Sequence, residues 1–358
     1  MSQELFDPDA IVARLRQFLE ERRGLGKPLD ARGRILASPA TIPVYCRVAK
    51  HFLNMMWPKF NSLPLPEDAA REYLSILKKR RKPRTVLVAY AALKNLYACM
   101  GWPFTIELRQ MLPEGLPQFS DAPYLSRDEI EQVIRHAEEK ASQTGDPLAI
   151  RNVLIAYLLR YGLRPEDIRR LKGENITFRA ETDEAGEKYE ACIIKYTPCK
   201  RGRETVKVLN RRASAWAARW IAILFQLFQS LGLDEVQMRF APVFPSLWGV
   251  NRYTLRHAAP KSLSPGFKKK MRVQLFKPMS YCTIYNIIRR LLVEALGPKM
   301  RGRRSPYTIR RGVVSYFLEA KLATAEDLTK YFGWKSLTMP LIYDKRRAEE
   351  LAKKFTNI

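Results

Sequence analysis

Residues 305–345, SPYTIRRGVVSYFLEAKLATAEDLTKYFGWKSLTMPLIYDK, are the stretch around which the rest of the chain is read. Arg310 sits early on a predicted helix, three residues after Tyr307. The turn Phe332-Gly333-Trp334 follows, with Trp334 24 residues after Arg310. Tyr343 comes nine residues after Trp334, just past Pro340. A basic approach, Arg301-Gly-Arg-Arg304, leads into this stretch.

Outward from there, the bulk numbers set the partner class. The chain has 358 residues, enough for two domains with their own cores. It carries 63 Lys and Arg against 36 Asp and Glu, a net charge of +27, which on a folded chain points to a polyanion. Binding of that kind is salt-dependent, because each neutralised phosphate releases counterions. No apolar run is long enough to span a bilayer, and the N-terminus lacks a signal-peptide pattern. The expectation is therefore a cytoplasmic, nucleoid-associated protein with no membrane partner. The five cysteines are scattered without a C-x-x-C pair, and the three histidines complete no zinc pattern, so metal and cofactor are both expected to be none.

The N-terminal half reads as helices. Asp7 and Pro8 open one over 7–23, with Ile11, Leu15, Phe18 and Leu19 on one face. Further helices are predicted over 41–56, 66–77 and 85–100. Between the last two lies a run in which Lys78, Lys79, Arg80, Arg81, Lys82 and Arg84 are all basic, a candidate phosphate contact. The Pro-containing stretch from Trp102 to Ala122 is the expected linker.

The second half opens with a capping box, Ser126 and Glu129, before a helix at 130–140. A largely apolar helix over 146–161 ends at Gly162, and Pro165 starts the next, leaving Arg164 in the tight turn between them. Asp167, three residues on, can hold the guanidinium fork. Residues 176–209 read as strands: 176–179, then 191–196, then 204–209 with alternating Val. The last hairpin turn holds Lys200, Arg201 and Arg203. A long helix over 213–231 carries Trp216, Trp220, Leu224 and Phe228 on one side. Residues 250–277 contain eight Lys or Arg, including Lys268, Lys269 and Lys270, and no acid. They read equally as a DNA-contacting insertion or as a loop without specific role.

Arg164, Arg310, Trp334 and Tyr343 occur in an order and at spacings that resemble the tyrosine recombinases, the family of phage integrases and Xer-type resolvases. The pattern there is His-x-x-Arg, then Leu-Gly-His or Leu-Gly-Trp, then a tyrosine nine residues on; here Tyr307 stands in the first His position. The resemblance implies a mainly α fold with a small antiparallel sheet, closing as a C-shaped clamp around DNA. Its parts would be an N-terminal extension (1–35), a helical core-binding domain (36–103), a linker (104–122) and a catalytic domain (123–358). It further implies Arg164 and Arg310 as a clamp on the phosphate, Lys200 as general acid with Lys195 as fallback, Trp334 as a hydrogen-bond donor and Tyr343 as nucleophile. Asp167 supports Arg164, and Arg201, Arg203 and Lys268–Lys270 join the 78–84 run as DNA contacts.

The chemistry fits those residue types. A tyrosine hydroxyl stores the phosphodiester bond as a phosphotyrosyl ester. Its free pKa is about 10, so nearby positive charge must activate it. Two arginines can offset charge in the pentacoordinate transition state, and a lysine can protonate the departing 5′-oxygen. A phenol at 307 can donate a hydrogen bond but cannot accept a proton near neutral pH as imidazole does. The implied partners are double-stranded DNA at specific recombination sites, three further copies in a homo-tetramer on synapsed DNA, and accessory DNA-bending proteins. The tail after Tyr343 reads equally as packing on its own domain or on a neighbour. Two alternatives stay open: a type IB topoisomerase-like enzyme, and a DNA-binding protein on the same fold without catalysis.

Overall fold

The computed structural model describes residues 7–24, 41–112, 123–199, 203–247, 265–300, 305–334 and 336–341. The chain divides into two compact units, residues 1–118 and 119–358.

The first unit is helical: α1 (Pro8–Gly24), α2 (Thr41–Phe60), α3 (Glu67–Arg80), α4 (Pro83–Met100) and the single turn α5 (Leu108–Met111). The Asp7 carboxylate accepts from the Asp9 N–H at 2.8 Å, as the capping residues at the start of α1 predict. α4 starts on Pro83 and stops at Gly101, whose φ of 70° closes the helix in the left-handed conformation. Helical spacing puts Leu15 and Leu19 of α1, Phe52, Leu53 and Met56 of α2, Leu74 of α3 and Leu96 and Tyr97 of α4 into one core. Aromatic edges lock it: Tyr97 meets Trp102 at 5.3 Å and Phe104 at 5.2 Å between ring centroids.

Residues 104–112, read as linker, fold onto this core: Ile106 and Met111 are buried, and the Tyr90 hydroxyl donates to the Ile106 carbonyl at 2.7 Å. Thr105 donates to Glu67 through both its backbone N–H and its hydroxyl. The prolines suggested a spacer, but the apolar side chains between them gain more by burial than the chain loses by being ordered.

The second unit is built on α6 (Arg127–Thr144), α7 (Pro147–Arg160) and α8 (Pro165–Arg170), followed by β1 (Ile176–Thr182), β2 (Lys188–Tyr196) and β3 (Thr205–Val208). Then come α9 (Arg211–Ser230), α10 (Glu235–Phe240), α11 (Pro265–Leu275), α12 (Tyr281–Leu296), α13 (Pro306–Glu319), α14 (Ala325–Tyr331) and the short α15 (Thr338–Leu341). The strands form one antiparallel sheet in the order β1-β2-β3, pairing Ile176 with Ile194 and Tyr196 with Thr205. The fold is thus mainly α with a small antiparallel sheet, as expected.

The capping box at the start of α6 is formed: Ser126 Oγ accepts from the Glu129 N–H, and Glu129 accepts from the Ser126 N–H at 2.8 Å. α7 is buried on nearly every side because α6, α9 and α13 all pack on it. α9 presents Trp216, Trp220, Leu224 and Phe228 inward, as its stripe requires. Part of the basic 250–277 stretch is ordered as α11, whose Met271 and Leu275 pack with Leu227, Phe228 and Leu231.

One buried carboxylate ties three helices. Glu138 on α6 accepts from the Tyr157 hydroxyl of α7 at 2.7 Å and from the Trp216 indole of α9 at 2.8 Å, and it pairs with Arg212. Removing it leaves two buried donors without an acceptor, a loss of about 3 kcal/mol. Glu138→Ala is therefore expected to lower the urea midpoint of the second unit clearly. Glu138→Gln, which keeps one acceptor, should lose less.

Candidate active site

Arg164 is placed by the turn that ends α7. Gly162 adopts φ +85°, a left-handed conformation that lets the chain reverse within three residues. Pro165 then opens α8. Asp167 has a fully buried side chain and does more than hold a guanidinium fork. Its Oδ2 accepts from the Arg164 backbone N–H at 3.0 Å and lies 3.7 Å from the Arg164 guanidinium. Its Oδ1 accepts from the Cys199 N–H at 2.8 Å, which fastens the turn to the end of β2.

Arg310 rises from the first turns of α13 and is buried. Its guanidinium lies 4.5 Å from the Phe332 ring centroid and 5.4 Å from that of Trp334. Phe332 and Trp334 stack on each other at 4.7 Å and 15°. The Phe332 ring is seated on Gly162, where a Cβ would come within 2.0 Å of Phe332 Cε1. Gly333, at φ +62°, sits on the β2–β3 hairpin; a Cβ there would meet Thr205 Cγ2 at 2.8 Å and the Arg203 carbonyl at 3.0 Å. The turn bearing Trp334 therefore interlocks with the turn bearing Arg164 on one side and with the hairpin on the other. Arg164, Arg310 and Trp334, distant in sequence, converge. Tyr196 at the end of β2 registers both guanidiniums: burial and Asp167 push its phenol up to about 12, while Arg310 and Arg164 oppose the rise.

Tyr307 is half-buried on the first turn of α13. Its phenol is hydrogen-bonded to that of Tyr281 on α12, and Tyr285 stacks on Tyr281 at 6.4 Å. Burial, with Tyr307 and Tyr285 adding to it, raises Tyr281 to about 12. With its pKa raised, the Tyr281 phenol stays protonated at neutral pH and can pass a hydrogen bond but not charge.

Lys200, Arg201 and Tyr343 lie outside the described residues. Lys195, the fallback for Lys200, is exposed and 3.2 Å from Glu204 across the hairpin. Arg203, Lys269 and Lys270 are exposed and Lys268 is half-buried. Lys78, Lys79, Arg80, Arg81, Lys82 and Arg84 are all exposed where α3 ends and α4 begins. Cations at the end of α3 suit its dipole; Lys82 and Arg84 at the start of α4, with no acid in its first turn, oppose theirs.

The sequence reading missed Lys207. The alternation in 205–208 is real, but its outer face carries the valines: Val206 and Val208 are exposed, while Thr205 and Lys207 point inward. Period two, combined with the inward position of Leu209, would have placed Lys207 inside. Tyr196 and Tyr281 were likewise unmarked, since their relevance comes only from packing.

No protein-family model matches the chain, and no curated protein matches its sequence. Solved structures do match. XerH site-specific recombinase bound to difH substrate, in its pre-cleavage complex, superposes with a TM-score of 0.61 at 13% identity, covering 99% of this chain and 98% of that one. The Tn1549 transposon integrase in complex with transposon right end DNA gives 0.52 at 14% identity, covering 96% and 99%. The chain has the tyrosine recombinase fold.

In this tyrosine recombinase fold the seat of Phe332 on Gly162 is the contact to test. Gly162→Ala adds both left-handed strain and a collision, together about 2–5 kcal/mol. Gly186→Ala, at φ +81° with open space around it, adds strain alone, about 1 kcal/mol. Thermal melts of the two variants are expected to separate by several degrees, with Gly162→Ala the lower.

Proposed function

We propose that the chain is a site-specific DNA recombinase, an integrase or resolvase of a mobile element. It cleaves and rejoins DNA through a 3′-phosphotyrosyl intermediate without metal or ATP. The observation that carries this reading is the convergence of Arg164, Arg310 and Trp334 through two interlocked turns in a chain of this fold. It is supported by the net charge of +27. On this reading residues 36–103 form the core-binding domain and 123–358 the catalytic domain, and four copies act on two duplexes.

Arg164 and Arg310 hold the non-bridging oxygens of the scissile phosphate and offset the charge that builds up in the transition state. The Trp334 indole N–H and the Tyr307 hydroxyl donate to the same group. The Tyr343 oxygen attacks phosphorus, the bond from phosphorus to the 5′-oxygen breaks, and Lys200 gives that oxygen its proton. The reverse attack by a 5′-hydroxyl restores the tyrosine and seals the strand. The exposed cations at 78–84 grip the backbone, where the N-terminal turn of α4 adds its own positive dipole end to Lys82 and Arg84.

A second reading, binding without cleavage, draws on one observation: Tyr307 shares its hydroxyl with Tyr281 and supplies no imidazole. The two are separated by incubating nicked duplexes from the DNA flanking the gene with wild type and Tyr343→Phe, in the absence of metal, and running a denaturing gel. A protease-sensitive shifted band is expected with wild type only, while both proteins bind the duplex equally. Tight binding by wild type with no such band would favour the binding-only reading.

A further inference from the structure

Among the described residues Lys207 is the most deeply buried cationic side chain, 1% exposed, and it lies at the site rather than away from it. It leaves β3 inward. Its Nζ donates to the Tyr331 carbonyl, the last helical residue of α14, and lies 3.0 Å from the Tyr331 ring centroid and 5.3 Å from that of Phe332. The other face-on cation of Phe332 is Arg310, at 4.5 Å. Phe332 thus has two basic side chains from two different elements at its ring, and its chain neighbours Gly333 and Trp334 carry the site onward.

Resting on the recombinase reading, we propose that Lys207 is a positioning residue: from β3 it holds the Tyr331–Trp334 turn against Arg310, so that the indole and the guanidinium keep one geometry toward the phosphate. A lysine is a costly way to fill this space, since burial disfavours its charged form. Arg310 from α13 adds repulsion, and the neighbours Tyr331 from α14 and Tyr196 from β2 are phenols held neutral. The amine is pulled down to about 6 by burial first and by Arg310 second. At neutral pH it is therefore mostly an uncharged donor to Tyr331, and it does not compete with Arg310 for the anion. An apolar residue would pack as well and fold better; what it could not do is satisfy the Tyr331 carbonyl and fix the turn's first peptide.

Between pH 6 and the ordinary lysine value of 10.5, the folded chain has given up a proton that the unfolded chain keeps. Stability attributable to Lys207 therefore rises with pH across that window. Lys207→Met is expected to melt higher than wild type at pH 7, with the gap narrowing toward pH 10. A group that merely stabilises the fold would give the opposite sign.

The test uses the full chain, wild type and Lys207→Met, with three readouts. The first is the Trp334 indole N–H resonance, assigned by its loss in Trp334→Phe; it is expected to move in the Met variant while those of Trp57 and Trp102 stay. The second is the melting temperature from pH 6 to 10. The third is the rate of covalent adduct formation on the nicked duplex, expected to fall about tenfold or more from a displaced donor. An unmoved Trp334 resonance overturns the proposal. So does an unchanged adduct rate in an active wild type, or a lower melting temperature at pH 7 alongside the lost rate. If wild type itself forms no adduct, the recombinase reading falls separately, and the resonance and the pH dependence of melting still decide whether Lys207 holds the turn.

Discussion

The second unit depends on one steric contact, the Phe332 ring lying on the bare backbone of Gly162. No side chain fits between them, so the turn after α7 and the turn after α14 cannot move independently. Everything nearby is fixed relative to that contact. Arg164 is two residues past Gly162, Trp334 two past Phe332, and Arg310 lies over the Phe332 face. Asp167 then fastens the first turn to β2 while Gly333 seats the second on the β2–β3 hairpin. Interiors packed this closely have discrete arrangements rather than soft ones, so a site assembled from four chain segments can still be held to one geometry.

The electrostatics follow from the same packing. Arg310 and Lys207 are buried, Arg164 is nearly so, and Asp167 is the buried carboxylate that meets Arg164. Burial normally drives cations to pair or to neutralise. Lys207 neutralises; a guanidinium does not within the physiological range. The two arginines instead lean on aromatic faces and on Asp167, an arrangement that leaves the region short of negative charge. On the proposed reading a phosphodiester would supply the missing negative charge to cations that the fold has already placed.

How much of this could be read from the sequence divides along physical lines. The helices, the capping box at Ser126, the turn at Gly162 and the inward stripe of α9 were legible because each is written in local chemistry: a capping oxygen, a left-handed glycine, a 3.6-residue period. Arg164, Arg310 and Trp334, which the structure brings together, could be singled out only through family spacing, since nothing local distinguishes them from surface residues. Lys207 escaped both. Its neighbours Val206 and Val208 announced an apolar face, but that face is the outer one; which side of a three-residue alternation turns inward is set by what packs on it, here α14. Residues 104–112 escaped for a similar reason, since proline signals a break in helix without saying whether the broken chain is buried.

Tyr307 shows how a side chain's role is set by its surroundings. A tyrosine is longer than a histidine and brings one hydroxyl in place of two ring nitrogens, so it must find a partner or water at its tip. Here α12 offers Tyr281 at that tip, backed by Tyr285, so the phenol is oriented by another phenol. The raised Tyr281 phenol stays protonated at neutral pH, so it can orient a neighbouring hydroxyl but offers no base. On the proposed reading, a proton leaving the nucleophile therefore passes to solvent, to the phosphate or to an amine rather than to residue 307.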